Sequence, residues 1–153
     1  IVDAAASRGM YVALIPMWSD GMASRESKWG HAEAAEDLRA IGEALATRYA
    51  SRTNIIWIAG GESVGEHNTL GTPRSLGQAL HDASGGQALI GLHPTGDATS
   101  GSYVHDEPWL DFNMLQTGHA PGVSSTHSRI TADWNRNPRK PTLETEVTYE
   151  GWD

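Results

Sequence analysis

The chain has 153 residues, of which 39% are hydrophobic, enough for one domain with a core of its own. Its formal net charge of -8 and its scattered 11 Lys and Arg residues argue against a nucleic-acid partner, and the absence of any apolar run of about 18 residues argues against a membrane span. Cysteine is absent, which excludes disulfides and thiolate metal sites.

The first residues read IVDAAASRGM, with no initiator Met and no basic segment ahead of an apolar one. Complete genes and signal peptides begin differently, so we expect the chain to be part of a longer protein. Within it, Ile1 to Ser7 resembles the tail of a helix that stops at Gly9.

Five short apolar runs of strand length follow along the chain. They are Tyr11 to Pro16, Asn54 to Ala59, Ala88 to His93, Phe112 to Gln116 and Lys140 to Glu146. Helices are predicted over Ala32 to Ala50, Thr72 to Ala83, Glu107 to Leu110 and Ser124 to Trp134, and a long polar loop over Gly91 to His105. Strands that alternate with helices imply right-handed βαβ units and a parallel sheet.

The ends of these strands favour one kind of parallel sheet, because each of the five runs finishes in polar or aromatic residues. A (β/α)8 barrel gathers functional groups from many strand ends around one mouth, whereas a doubly wound sheet binds its ligand mainly at one switch point. No GxGxxG or GxxxxGK[ST] motif follows any strand, which argues against a nucleotide site. We therefore predict an α/β fold of the (β/α)8 TIM-barrel type, with residues 1–153 forming a partial barrel domain that covers roughly strands 3 to 7.

Two glutamates occupy strand ends. Glu62 follows NIIWIAGG, a strand with the pattern of burial on both faces, and Glu146 ends the fifth strand. Glycosidases need such a pair, one carboxylic acid to protonate the leaving oxygen and one carboxylate to attack the anomeric carbon or to activate water. If the first visible strand is the third of a barrel, Glu62 follows strand 4 and Glu146 ends strand 7, the placement known for a large clan of retaining glycosidases.

Five segments, in order, carry a more specific likeness: IVDAAASRGMYVALIPMW, RYASRTNIIWIAGGE, LIGLHPTGDATS, EPWLDFNMLQTGHA and KPTLETEVTYEG. Together they resemble the DUF4038 family of apiosidase-like glycoside hydrolases over nearly the whole chain. The resemblance implies a retaining glycosidase acting on plant or microbial polysaccharide, with Glu62 as general acid/base and Glu146 as nucleophile. It also implies a bacterial protein, secreted or periplasmic, that needs no cofactor.

Two positions differ from the family pattern. The family has Asp after the paired glycines, where this chain has Glu62, and DGE where this chain has Glu144, Thr145 and Glu146. The acids at 62 and 144 are therefore one methylene longer, which bears on the carboxylate spacing and on the choice of substrate.

Each acid also has a structural interpretation. At the start of a helix, Glu62 would merely favour the helix dipole, an effect of about 0.3 to 1 kcal/mol. Glu144 and Glu146 lie on the same face of a strand, where two like charges disfavour each other, so one of them would instead be the partner of a buried Arg or Lys.

Further candidates for sugar binding lie at the strand ends and in the segments between strands. Trp18 and Trp109 would stack on a sugar face or pack in the core. His93 and His119 would bond a sugar hydroxyl, orient a carboxylate or lie satisfied in the core. The remaining polar candidates are Asp20, Asp106, Gln116 and Glu144.

Two rival classes of protein remain open. A metal-dependent hydrolase needs grouped ligands, but the chain has no HxH or HExxH motif and only one loose acidic cluster, His105 to Glu107, so no metal is predicted. A non-catalytic carbohydrate-binding barrel would bind a sugar without cleaving it. Convergence of Glu62 and Glu146 on one pocket would favour the enzyme.

Overall fold

The computed structural model describes residues 1–62, 71–117 and 126–147. In these ranges the helices are α1 (Val2–Ala6), α2 (Ser19–Trp29), α3 (His31–Arg48), α4 (Gly71–Ala83), α5 (Gly101–Val104) and α6 (Thr126–Trp134). The strands are β1 (Val12–Leu14), β2 (Ile55–Ile58), β3 (Leu89–Gly91), β4 (Ala98–Thr99), β5 (Asn113–Gln116) and β6 (Thr142–Glu146). All five predicted strands are present, and the alternation of strands and helices is confirmed.

The strands β1, β2 and β3 form a parallel sheet in that order, with Val12 opposite Ile55. The strands β5 and β6 are also parallel to each other. Asp111, just before β5, connects the two groups: its N–H donates to the Ile90 carbonyl at 2.9 Å, and its Oδ2 accepts from the Ile90 N–H at 2.8 Å. The strands thus form two three-stranded sheets, β1-β2-β3 and β4-β5-β6, which these two hydrogen bonds join.

Alternate side chains of these strands lie on opposite faces of the sheet. The outer face packs against the helices in the main hydrophobic core, which includes Ile55, Trp57, Ile90, Leu92, Leu38, Leu76 and Leu80. The inner face holds a smaller cluster of Ile58, Phe112 and Met114, with Ile15 and Ile56 beside it. The inner face is thus packed below the carboxyl ends of the strands, as it is inside a barrel.

The helices α3 and α4 pack closely at Gly42. A Cβ at this position would lie 2.9 Å from the Cβ of Ala79 and 3.1 Å from the carbonyl oxygen of Leu76, so the approach requires glycine. The buried stripe of α3 consists of Ala34, Leu38, Gly42 and Ala46. The apolar pattern of the sequence, with Ile41 and Leu45, shares Leu38 with this stripe and otherwise packs partly buried beside it.

Three local features differ from the sequence-based expectation. Helix α2 was not predicted, because it buries only Met22 and so lacks an apolar stripe. The segment predicted as a long loop contains α5 and β4, and β4 pairs antiparallel with β5, Ala98 opposite Gln116. The short helix expected at Glu107 to Leu110 is a turn, closed by the Leu110 N–H donating to the Glu107 carbonyl at 3.1 Å.

The sheet is open in the part of the chain that the structure describes. There β1 and β6 each pair on one side only, and Leu143 of β6 is 49% exposed. Across these ranges, no helix combines the length and the apolar character that crossing a membrane requires.

Candidate active site

Two predicted site residues continue the inner face of the sheet at its carboxyl edge. Gln116 follows the inner-face residue Met114 by two positions on β5. His93 follows Gly91 by two positions, and a Cβ at Gly91 would touch the ring of Phe112 on the same face. Alternation directs both side chains inward, and each contacts one of the predicted carboxylates.

Glu62 lies just beyond β2, where the chain is held against the end of β1. Trp18 and Gly61 form an isolated parallel bridge, and the Ser19 N–H donates to the Gly61 carbonyl at 2.9 Å. The backbone of Glu62 has φ 48°, in the left-handed region that residues other than glycine rarely adopt. Gln116 Nε2 donates to Glu62 Oε1 at 3.4 Å. An unfavourable backbone conformation at a predicted catalytic acid is typical of a functional site.

The indole of Trp18 covers Gly61. A Cβ at Gly61 would overlap the indole, so this approach is possible only with glycine. The Trp18 side chain remains 42% exposed, and its ring centre lies 5.8 Å from that of His93. An exposed indole over Gly61 and beside His93 offers a flat apolar face on which a sugar ring could stack.

The buried imidazole of His93 joins Glu146. Its Nδ1 lies 2.9 Å from the Pro94 carbonyl oxygen, which can only accept, so Nδ1 carries a proton. Its Nε2 lies 3.0 Å from Glu146 Oε2. At this distance the ring nitrogen and the carboxyl oxygen form a hydrogen bond, which connects the end of β3 to Glu146.

The other acid of β6, Glu144, contacts the backbone of Glu146. Glu146 lies opposite Gln116 in the pairing of β5 with β6, and its N–H donates to Glu144 Oε1 at 3.3 Å. Burial raises the pKa of the Glu144 carboxyl, and hydrogen bonds from Glu146 and Thr117 together with the charge of Arg129 offset this only in part. Glu144 thus contacts the backbone of Glu146, and its assignment as a sugar-binding residue stays a prediction.

Replacing Glu144 by Gln should stabilise the full-length protein at neutral pH. A carboxyl whose pKa is higher in the folded than in the unfolded state lowers the free energy of unfolding as pH rises through these two values, and the loss persists above them. We expect Glu144→Gln to have a higher Tm than the parent at pH 7, and the difference to vanish at about pH 3.5, where the parent carboxyl is protonated in both states. Calorimetry at the two pH values measures this.

Glu36→Gln, on the exposed side of α3, is the matched control and should show no such pH-dependent gain. An equal gain in Tm for Glu144→Gln at both pH values would show that the buried charge does not cause the gain.

The contacts link five predicted residues at one edge of the sheet, and these are Trp18, Glu62, His93, Gln116 and Glu146. The rings of Trp18 and His93 are neighbours, and His93 holds Glu146. Gln116 lies between the two acids, opposite Glu146 in the sheet and bonded to Glu62. The contacts thus run from Glu62 through the buried amide of Gln116 to the strand position of Glu146.

The remaining predicted residues lie elsewhere. Trp109 is 1% exposed in the main core, and a Cβ at Gly77 of α4 would lie 2.6 Å from its ring. The structure thus corrects the sugar-binding prediction for Trp109, which fills the hollow that this glycine leaves. Asp20 is exposed in the first turn of α2, and His119 lies outside the described residues.

The acidic cluster at His105 to Glu107 does not converge. His105 Nε2 donates to the Pro138 carbonyl at 2.7 Å, while Glu107 pairs with Arg74 at 2.5 Å. Among the residues that the structure describes, no group of three or more His, Cys, Asp or Glu side chains is placed to hold a metal ion.

Three contributors to the site were not predicted from the sequence: Pro94, Thr117 and Arg129. Thr117 directly follows a strand, so the rule that found the other candidates would also have found it. The Pro94 carbonyl that holds His93 has no side-chain signature. The effect of Arg129 on Glu144 depends on the packing of α6 near β6, which local sequence does not reveal.

Comparisons with known proteins agree with this architecture. The family model described as apiosidase-like, catalytic domain, matches residues 1–153. A glycoside hydrolase family 5 crystal structure from Bacteroides vulgatus ATCC 8482 superposes with a TM-score of 0.83 at 28% identity, over 97% of this chain and 33% of that one. A second structure, named glycoside hydrolase, gives a TM-score of 0.83 at 25% identity, over 97% of this chain and 35% of that one. No curated protein matches the chain.

The fold is therefore that of a glycoside hydrolase barrel, of which the described strands form an open part. The chain belongs to the apiosidase-like family and corresponds to its catalytic domain. It spans about a third of the length of the two solved structures.

Proposed function

We propose that the full-length protein is a retaining glycoside hydrolase acting on plant or microbial polysaccharide, with Glu62 as general acid/base and Glu146 as nucleophile. The observation that carries the proposal is the chain of contacts from Glu62 through Gln116 to the strand position of Glu146, whose carboxylate His93 holds. Two carboxyl groups at one barrel mouth are the minimum that glycoside cleavage requires.

The environments of the two acids suit different roles. Glu146 Oε2 lies 3.0 Å from His93 Nε2, and a hydrogen bond to this ring fixes the direction in which the carboxylate of a nucleophile would attack. Glu62 accepts from a neutral amide, which is compatible with both the protonated and the ionised carboxyl, as an acid that later acts as a base requires.

The reaction then proceeds in two displacements. Glu146 attacks the anomeric carbon while Glu62 gives its proton to the leaving oxygen, which breaks the glycosidic bond and forms a glycosyl ester. Glu62 next takes a proton from water, which attacks the anomeric carbon and releases the Glu146 carboxylate. Trp18 would hold the sugar ring by stacking during both steps.

A hydrolysis screen of the full-length protein tests the proposal. The panel contains apiose-containing pectin, other plant polysaccharides, microbial polysaccharides and aryl glycosides, and proton NMR follows the anomeric configuration of the first product formed. We expect hydrolysis of at least one member with retention. Binding without hydrolysis would identify the carbohydrate-binding alternative, and inversion would contradict the nucleophilic role of Glu146.

A further inference from the structure

The amide of Gln116 is an unusual side chain to find inside this sheet. It is 1% exposed, its Nε2 donates to Glu62 Oε1 at 3.4 Å, and its own Oε1 is buried with no hydrogen-bond partner among the described residues. Buried polar atoms are normally paired, so packing alone does not explain an amide that satisfies only its donor end.

We propose that Gln116 is a positioning residue that determines which oxygen of Glu62 carries the catalytic proton. This inference rests on the proposed function. An amide NH₂ can only donate, so the oxygen it faces, Glu62 Oε1, must accept in both protonation states. Because a carbonyl oxygen accepts more strongly than the hydroxyl oxygen of a protonated carboxyl, the amide favours the proton on Oε2.

The arrangement serves both steps of the reaction without a rotation of Glu62. In the first step the Oε2–H bond breaks and its proton passes to the leaving oxygen as the glycosidic bond breaks. In the second step Oε2 takes a proton from the water that attacks the anomeric carbon, and the ester bond to Glu146 breaks. Oε1 remains the acceptor of the Gln116 N–H throughout.

The backbone around Gln116 holds the amide in place. Gln116 lies opposite Ala98 of β4 on one side and opposite Glu146 of β6 on the other, so strand pairing fixes it from both edges. A positioning group is effective only when its own scaffold is rigid, and a residue paired on both sides meets that condition.

Two variants of the full-length protein test the inference. Gln116→Met keeps the side-chain length and removes the N–H donors. Gln116→Glu keeps the shape of the side chain, but the new carboxyl either takes the proton of Glu62 or, when ionised, has no hydrogen to donate. The matched control is Gln78→Met on α4, which removes a similar amide–carboxylate bond, 2.8 Å to Asp82, outside the site. Circular dichroism and Tm show whether each variant folds. If Gln116→Met does not fold, the kinetics of Gln116→Glu decide the test.

The informative measurement is how the loss in kcat/KM of each variant depends on the leaving group of the substrate. General acid catalysis contributes roughly 10² to 10⁴-fold and matters little for an activated aryl leaving group. We expect both Gln116 variants to lose about 10- to 100-fold in kcat/KM for an unactivated sugar leaving group, but less than about 3-fold for an activated aryl glycoside. Gln78→Met should retain the parent values for both substrates.

An equal loss on both substrates, or no loss, in the Gln116 variants overturns the inference. Glu62→Gln measured in parallel separates this result from a failure of the proposed function. If Glu62→Gln shows the selectivity for the leaving group and the Gln116 variants do not, only the inference is overturned. If Glu62→Gln shows no such selectivity, the proposed role of Glu62 is wrong.

Discussion

Glu146→Gln is expected to abolish turnover of every substrate in the full-length protein. An amide cannot attack the anomeric carbon to form the glycosyl ester, and it also replaces the carboxylate that contacts His93 Nε2. We expect kcat to fall on the order of 10⁴-fold or more, for activated and unactivated leaving groups alike. Steady-state kinetics on both substrate types measure the loss.

Glu146→Ala supplies a chemical check on this role. With the carboxylate removed, added azide can attack the anomeric carbon of an activated aryl glycoside directly, and one displacement yields a glycosyl azide of inverted configuration. Glu36→Gln, an exposed acid on α3, should retain the parent rate. Full activity of Glu146→Gln, or an azide product of retained configuration from Glu146→Ala, would show that Glu146 is not the nucleophile.

Glu62→Gln is expected to separate the two chemical steps. An activated aryl leaving group needs no proton, so the first step should proceed at close to the parent rate and the glycosyl ester on Glu146 should accumulate as a burst of the released phenol. Substrates with a sugar leaving group should lose roughly 10² to 10⁴-fold in kcat/KM. Stopped-flow absorbance and mass spectrometry of the trapped enzyme measure both effects.

Azide completes the test of Glu62. As an anion it needs no general base, so it should release the glycosyl ester of the Glu62→Gln variant and give a glycosyl azide of retained configuration. Rescue with the opposite stereochemistry would mean that the roles of the two acids are reversed. The carboxyl groups of a retaining pair should lie roughly 5 to 5.5 Å apart in the substrate complex, against roughly 6.5 to 9.5 Å for an inverting pair.

Much of the fold could be read from local patterns. The run IIWI is a strand because β-branched and aromatic residues in a short apolar segment suit a sheet buried on both faces. Helix α3 was visible from apolar residues at three- and four-residue steps, such as Leu38, Ile41 and Leu45. Helix α2 was not, because a helix that buries only Met22 shows no such stripe, and its position depends on the strand end that precedes it.

The sequence by itself determined the order of strands and helices and the two acids that follow strands. Carboxyl ends of parallel strands share one edge, so placing Glu62 and Glu146 at strand ends was enough to place them in one region. Periodicity and position are local properties, and a single chain displays them without reference to distant residues.

Only the tertiary structure decided how these side chains are used. Trp18 and Trp109 were both candidates for stacking on a sugar, yet one lies exposed over Gly61 and the other fills the core against Gly77. The pairing of His93 with Glu146 joins the ends of β3 and β6, which are far apart along the chain. The register of strands and the packing of helices set such contacts, because they decide which distant atoms come within hydrogen-bond distance.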